Sequence, residues 1–132
     1  MTVTEDIHKA KHYNLHPSGV EVRQITDYMT FNQGSTFKYV VRRDAKGTPI
    51  KDLLKAIEYL DYQLETGAPP IGMFDPALTA LSKMVAAEPN PQVRHILLGL
   101  GGYAQMGIPA ILKQTQHDIK ILLEQDYRYE FK

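Results

Sequence analysis

Apolar side chains recur at three- and four-residue spacing along most of the chain, which is the period of an amphipathic helix. The clearest run follows Pro49 and predicts a helix to about Glu65. Gly67 and the two prolines after it end this helix, because proline cannot continue a helix and glycine suits its last turn. The apolar positions of the run are Ile50, Leu53, Leu54, Ile57, Leu60 and Leu64.

A capping residue followed by proline marks three predicted helix starts, at Thr48-Pro49, Asp75-Pro76 and Asn90-Pro91. The capping side chain accepts free amide hydrogens of the first turn, and proline loses no hydrogen bond there. After the last start, Gly101-Gly102 is expected to loosen or end the helix. A final helix is predicted from about Pro109 to Asp126. The inward positions of the two helices after Asp75 are Leu78, Leu81 and Val85, then Val93, Ile96, Leu97 and Leu100.

The pattern before Pro49 is less regular. We expect a helix from about Gly19 to Phe31, a break at Asn32-Gln33-Gly34, and a shorter helix that Ser35 caps and that runs through Arg43. Asp44-Ala45-Lys46-Gly47 is typical of a tight turn. Residues 1–18 look irregular, and the tail Tyr127–Lys132 alternates aromatic and charged residues as an edge strand or a docking arm does.

These elements predict an all-α fold, a compact domain of about five to six helices. Residues 66–72 are linker-like and separate two halves, 12–65 and 73–126. A half of about 65 residues is marginal as an independent core. We therefore expect residues 1–132 to form a single domain in which the two halves pack together.

Composition excludes several classes of function. The chain has 15 basic and 15 acidic residues, so its formal net charge is zero. Because it has no cysteine, it cannot form a disulfide framework, a cysteine-ligated iron–sulfur cluster or a thiol nucleophile. No apolar run approaches the length of a membrane span and the first residues lack the apolar core of a secretory signal, so we expect a cytoplasmic protein and no membrane partner. A pI near 7.0 argues against bulk nucleic-acid binding.

Positive charge is concentrated in the segment 31–61, which gathers six cations against two acids before Glu58. The cations are Lys38, Arg42, Arg43, Lys46, Lys51 and Lys55, and the acids are Asp44 and Asp52. Lys38 and Arg42 are four residues apart, and the free amides of the helix at Pro49 follow soon after, so the segment suits a phosphate-bearing ligand. The alternative is a solvated basic face that the two acids partly neutralise.

Other motifs in the chain are weaker. Glu58 and Asp61 have the helical spacing of carboxylates that hold Mg²⁺, but no second acidic pair accompanies them, and an exposed charged face explains them as well. His8, His12 and His16 are four residues apart and could bind zinc on a helix, although no acid or thiol completes the set. The sequence therefore identifies no certain metal or cofactor site. If a metal ion takes part in the function, Mg²⁺ at Glu58 and Asp61 is the candidate.

Gly99–Ala104 fits G-x-G-x-x-A, but the 28 residues after it leave no room for a dinucleotide-binding sheet. Close helix packing or a hinge explains these glycines better. The sequence contains no G-x-x-x-x-G-K-[ST] motif.

The N-terminal half resembles a family of small bacteriophage proteins that includes a nucleoside monophosphate kinase without a P-loop. The likeness covers about residues 12–61 and departs from the family pattern at Ser35, where the family usually has Asn. The residues that carry it are His12-Tyr13, Gly19-Val20-Glu21, Ile25, Gly34, Lys38-Tyr39, Arg42, Lys46-Gly47, Asp52-Leu53, Lys55-Ala56 and Tyr59-Leu60.

The resemblance implies a phage-encoded protein that handles nucleotides, and the leading hypothesis is phosphoryl transfer between mono- and triphosphates of (deoxy)nucleosides. In that reaction Lys38, Arg42 and Lys46 would contact phosphates, His12 would serve as proton shuttle or hydrogen-bond donor, and Tyr39 or Tyr59 would stack on a base. Arg43, Lys55, Gly47 and Ser35 are further contacts. We expect a homo-oligomer that handles nucleotides. Two alternatives are a protein that sequesters a nucleotide without turnover and a protein that acts by contact with a host protein.

Overall fold

The computed structural model describes residues 16–45 and 47–132, and within this part of the chain six helices and no strand are present. The predicted all-α fold is therefore confirmed. No helix of the described ranges is long and apolar enough to cross a membrane. In chain order the helices are α1 (Arg23–Thr26), α2 (Phe31–Val41), α3 (Pro49–Thr66), α4 (Ala77–Ala87), α5 (Pro91–Met106) and α6 (Pro109–Tyr127).

The helices form two antiparallel pairs that share one core. α2 packs along α3 and α5 packs along α6, while α3 also contacts α6 and α2 contacts α5. Fully buried side chains come from both halves of the chain, for example Phe37, Leu53, Ile96 and Leu122. Burial of such a side chain contributes about 1.5–3 kcal/mol relative to leaving it exposed. The assignment of residues 1–132 to one domain stays a prediction.

The helix ends follow the predicted signals in part. The side chain of Asn90 accepts hydrogen bonds from the amides of Gln92 and Val93, and Gly67 ends α3 with a φ of +60°. Pro76, in contrast, precedes α4 as its N-cap residue, and the Asp75 carboxylate accepts a hydrogen bond from Thr79 N–H at 3.3 Å. The α4 start is therefore one residue later than the Asp-Pro pair predicts.

The long helix predicted over Gly19–Phe31 is wrong, because only Arg23–Thr26 is helical. The chain turns after Thr26, and Thr30 is extended and caps α2 by accepting a hydrogen bond from Gln33 N–H. The predicted break at Asn32-Gln33-Gly34 is therefore wrong too, and Ser35 lies within the helix and does not cap it. Gly34 lies within α2 beside α1, and an added β-carbon would be 3.4 Å from Thr26 Cβ, an ordinary van der Waals contact, so this packing does not require glycine.

Two expectations for the second half also need correction. α5 continues through Gly101-Gly102 and ends at Gly107, since packing against α4 and α6 supports it. The tail forms no strand: Tyr127 belongs to α6, Arg128 takes a left-handed conformation, and Tyr129 N–H bonds to Leu123 O at 3.0 Å. The side chains of Tyr127 and Tyr129 pack on the protein's own core.

Candidate functional site

The antiparallel pair α2 and α3 brings most of the predicted site residues together. Two hydrogen bonds fix the register of this pair: Thr36 Oγ1 donates to Ala56 O at 3.2 Å, and Thr30 Oγ1 donates to Gln63 Oε1 at 2.8 Å. The end of α2 therefore lies beside the beginning of α3. Directly after α2 the chain makes a turn in which Ala45 N–H donates to Arg42 O at 2.9 Å.

Tyr39 on α2 is the centre of the candidate site. The guanidinium carbon of Arg42 lies 4.7 Å from the centroid of the Tyr39 ring, and the ammonium nitrogen of Lys55 lies 6.0 Å from it. The Tyr39 ring is stacked with the ring of Tyr59, with centroids 5.8 Å apart and an angle of 19° between the planes. Cations over a tyrosine ring are attracted by its quadrupole, by about 0.5–1 kcal/mol at exposed positions.

Two further aromatic rings extend this arrangement, and the sequence analysis did not single them out. Phe31 and Tyr62 each meet the Tyr59 ring edge-on, with centroids 5.8 Å away. Phe31 is 76% exposed and Tyr62 is 41% exposed. The spacing of Tyr59 and Tyr62 on one helix was the signal that could have found Tyr62. We call this group the cation–aromatic surface; it consists of Phe31, Tyr39, Arg42, Lys55, Tyr59 and Tyr62.

The acids of the segment do not neutralise the cations of this surface. Asp44 is paired with Arg43 and Tyr127, and Asp52 forms no ion pair with any described cation. Arg42, Lys55 and the exposed Lys38 have no carboxylate within 4.0 Å in the described ranges. In addition, Arg42 Nε is buried and has no hydrogen-bond partner there.

Arg43 points away from this surface although it is adjacent to Arg42. Its side chain is buried; Nη1 donates to Val40 O at 3.0 Å and Nη2 lies 3.6 Å from Glu88 Oε2. Its Nε lies 3.9 Å from Asp44 Oδ2. The structure therefore gives Arg43 carboxylate partners, which Lys38, Arg42 and Lys55 lack among the described residues.

Glu88 is the centre of a buried polar group that sequence reasoning missed. Its carboxylate accepts a hydrogen bond from Asn90 N–H at 3.0 Å and contacts His16 Nε2 at 3.3 Å. His16 Nδ1 lies 2.8 Å from Ser18 Oγ and 3.2 Å from Ser18 N, so Nε2 is the ring nitrogen that faces Glu88. No spacing in the sequence connects positions 16, 43 and 88, and only the fold brings them together.

Tyr127 connects the end of α6 to the turn after α2. Its hydroxyl donates to Asp44 Oδ1 at 2.9 Å. Burial of the ring, together with this hydrogen bond to a carboxylate, raises the pKa of Tyr127 above its ordinary value of 10.0. The neutral phenol is therefore the form that the fold stabilises.

The weak metal candidates are engaged with neutral groups. Tyr62 Oη donates to Glu58, and Gln116 Nε2 donates to Asp61 Oδ1 at 2.7 Å. The bond to Glu58 raises the pKa of Tyr62. In the described part of the chain no three His, Cys, Asp or Glu side chains are close enough together to hold a metal ion.

The remaining residues that the sequence predicted for the site lie in several parts of the chain. Gly47 is exposed with a φ of +72°, and Ser35 lies within α2, partly exposed. His12 and Lys46, like His8, lie outside the described residues. Gly99 and Gly101 of the G-x-G-x-x-A match lie inside α5 against Thr115 and Leu81, where larger side chains would collide, so their role is helix packing.

Comparison with known proteins gives one likeness. Residues 7–61 match a family described as proteins of unknown function, DUF3310. No curated protein and no solved structure matches the chain. The matched segment includes Tyr39, Arg42, Lys55 and Tyr59 and ends before Glu88 and Tyr127. The chain is therefore similar to a family of unknown function over the segment that carries most of the cation–aromatic surface, and the description of that family names no activity.

Proposed function

We propose that the protein binds a nucleotide at the cation–aromatic surface. The observation that carries this proposal is the position of Arg42 and Lys55 over the ring of Tyr39, which is itself stacked with Tyr59. A nucleotide combines an anionic phosphate group with a flat base. A surface that combines available cations with exposed rings is complementary to both parts.

The phosphate would contact Arg42 and Lys55, with Lys38 at the edge. Arg42 is suited to this role because its planar guanidinium offers paired donors to phosphate oxygens, and Lys55 adds a compact charge. Hydrogen bonds to charged groups contribute about 1.5–3 kcal/mol each. Loss of Arg42 should therefore weaken nucleotide binding by about 10- to 100-fold.

The base would stack on the exposed part of the aromatic cluster. The Tyr39 ring already contacts Tyr59 and Arg42, whereas Phe31 and Tyr62 expose large parts of their surfaces. Stacking of a base on an aromatic side chain contributes about 1–3 kcal/mol and tolerates every base. We propose this role for Phe31 and Tyr62 in place of the direct stacking on Tyr39 or Tyr59 that the sequence suggested.

Phosphoryl transfer between nucleotides is the activity we propose for this site. Such catalysis consists mainly of positioning and of charge stabilisation in the transition state, which cations without carboxylate partners can supply. Sequestration of a nucleotide without turnover would use the same contacts. The two differ only in whether a product forms.

A mixing assay tests binding and turnover together. Each deoxynucleoside monophosphate is incubated with a triphosphate donor, with and without Mg²⁺, and the products are separated by chromatography. We expect diphosphate with the wild-type protein and a loss of product with Arg42→Ala. Arg94→Ala is the matched control, because Arg94 is an exposed arginine on α5, in the other half of the chain.

The remaining outcomes separate the alternatives. Absence of product together with a nucleotide-dependent rise in melting temperature would indicate sequestration. Absence of both would contradict the proposal and would favour a protein-contact role. The exposed apolar residues of the second half, Ile71, Phe74, Met106 and Ile108, would then be the first surface to test.

A further inference from the structure

We propose that Glu88 and Tyr127, in the half of the chain outside the family match, are positioning residues that orient Arg42 for phosphate binding. This inference rests on the proposed function. It gives the second half of the chain a role in the site although none of its residues belongs to the cation–aromatic surface.

The first step of the argument is the local structure around Arg42. Arg42 is the C-cap residue of α2, and the two residues after it are both tied to other parts of the protein. Arg43 donates to Val40 O at 3.0 Å and pairs with Glu88, while Asp44 accepts from Tyr127 at 2.9 Å. The backbone that carries the Arg42 side chain is therefore held on its C-terminal side by two contacts from the second half.

Glu88 is itself held firmly. Its side chain is 3% exposed, and it lies at the C-terminus of α4, where the amide of Asn90 and the imidazole of His16 both donate to it. A buried carboxylate is strongly destabilising when it lacks partners, so the arrangement also fixes the Arg43 guanidinium that completes it. Arg43 consequently cannot turn towards solvent to join Arg42 without leaving Glu88 partly unpaired.

Tyr127 acts on the same turn from another helix. It is the last residue of α6, and its hydroxyl reaches Asp44 across the turn that Ala45 N–H and Arg42 O close. With Asp44 held by Tyr127 and with Nε of Arg43 3.9 Å from it, this acid is kept from the cations of the surface. Tyr127 therefore both restrains the turn and keeps a competing carboxylate away from Arg42.

The consequence for binding is pre-organisation. A side chain that already occupies its binding geometry loses less conformational freedom when the ligand arrives, and affinity rises accordingly. The position of the Arg42 guanidinium over the Tyr39 ring, 4.7 Å from its centroid, is the geometry that Glu88 and Tyr127 would maintain.

The test has two parts: an NMR measurement on the protein without ligand, and binding measurements on single and double variants. In the free protein, a guanidinium over an aromatic ring shifts the side-chain proton resonances of Arg42 upfield. We expect Tyr127→Phe to reduce this ring-current shift and Tyr129→Phe to leave it unchanged. Tyr129 is a matched control because it lies in the same tail and its ring contact with Phe131 needs no hydroxyl. Glu88→Gln should reduce the ring-current shift of Arg42 further. If the Glu88→Gln protein does not fold, the result for Tyr127→Phe alone decides the test.

Binding is then measured by calorimetry with each of the four deoxynucleoside triphosphates. We expect Tyr127→Phe to weaken triphosphate binding about 3- to 10-fold, which is less than the loss expected for Arg42→Ala. In the Arg42→Ala background, Tyr127→Phe should have no further effect on binding. An unchanged ring-current shift, or an equal loss of affinity with and without Arg42, would overturn the positioning role. If the shift changes but the wild-type protein binds no triphosphate, the positioning of Arg42 stands and the proposed function fails.

Discussion

Arg42 and Arg43 are neighbours of the same residue type, and the fold gives them opposite surroundings. Arg42 lies over Tyr39 without a carboxylate partner among the described residues, whereas Arg43 is buried against Glu88. Charge counting along the sequence treats the two alike. The difference arises because the chain turns between them, so that one side chain follows the outer face of α2 and the other enters the interior.

The pKa of the Tyr127 hydroxyl gives a prediction at the scale of a single residue. Its folded pKa is raised above the ordinary value of 10.0, first by burial and then by the hydrogen bond to Asp44. The stability that Tyr127 contributes is therefore fully present below pH 10 and is lost as the pH rises through the folded pKa. We expect Asp44→Asn to lower the pKa of Tyr127 towards 10, since it removes a charge that disfavours the phenolate.

Ultraviolet titration of tyrosinate, with ring resonances assigned by NMR, measures this pKa. Glu58→Gln is the matched control, because it should lower the pKa of Tyr62, whose hydroxyl donates to Glu58, and leave that of Tyr127 unchanged. Ionisation of Tyr127 at or below pH 10 in the wild-type protein would contradict the bond to Asp44.

At the scale of elements, periodicity predicted α3 and α6 well, whereas α5 extends past the Gly101-Gly102 pair that was expected to loosen or end it. α3 begins at Pro49 and ends at Gly67 as the apolar pattern and the flanking residues indicate. The shorter helices were less well predicted, because α1 contains only four residues and Thr30, a weaker signal than Gly34, marks the start of α2. Short helices depend on tertiary contacts more than on their own sequence.

The glycines of α5 give a prediction at this scale. A β-carbon at Gly99 would overlap Thr115, whose hydroxyl already donates to Ile111 O at 2.8 Å and whose branched side chain has little freedom to move. We expect Gly99→Ala to lower the free energy of unfolding by about 1–3 kcal/mol through overpacking. Denaturant unfolding measures the change.

Gly102→Ala is the matched control on the same helix. The nearest side-chain atoms to its β-carbon would be 3.9 Å away, an ordinary contact, so alanine should raise the stability by up to about 1 kcal/mol through its better helix propensity. Equal effects of the two substitutions would mean that the approach of α5 and α6 does not depend on Gly99. Thr115→Ala should relieve most of the cost of Gly99→Ala, because it removes the overlapping hydroxyl.

At the scale of the whole molecule, a chain without net charge places two cations, Arg42 and Lys55, beside the aromatic rings of the cation–aromatic surface. The 15 basic and 15 acidic residues balance, so the protein exerts little net long-range attraction, and binding of an anion must depend on the local cations. Exposed charges are screened over about 10 Å at 0.1 M salt. A change in ionic strength should therefore alter the affinity for an anion more than it alters the free energy of unfolding.

Salt dependence is the corresponding prediction. We expect the dissociation constant for a deoxynucleoside triphosphate to rise as sodium chloride increases, because phosphate contacts are screened. Arg42→Ala should reduce the slope of this dependence, and Arg94→Ala should leave it unchanged. Calorimetric titrations at three salt concentrations measure the slopes. A dissociation constant indifferent to salt would mean that apolar contacts dominate and would count against the phosphate site.

The amino-acid sequence by itself determined the all-α class, the bounds of α3 and α6, and the concentration of cations near Arg42. These follow from local physics: helical periodicity, proline at the first turn, glycine after the last, and charge. Only the tertiary structure decided which of those cations stay available and which aromatic rings surround them. It buried Arg43 against Glu88, bound Asp44 to Tyr127, and brought Phe31 against Tyr59. The residues of these contacts lie between 28 and 83 positions apart in the chain, so the contacts depend on how the helices pack, and no local spacing records that packing.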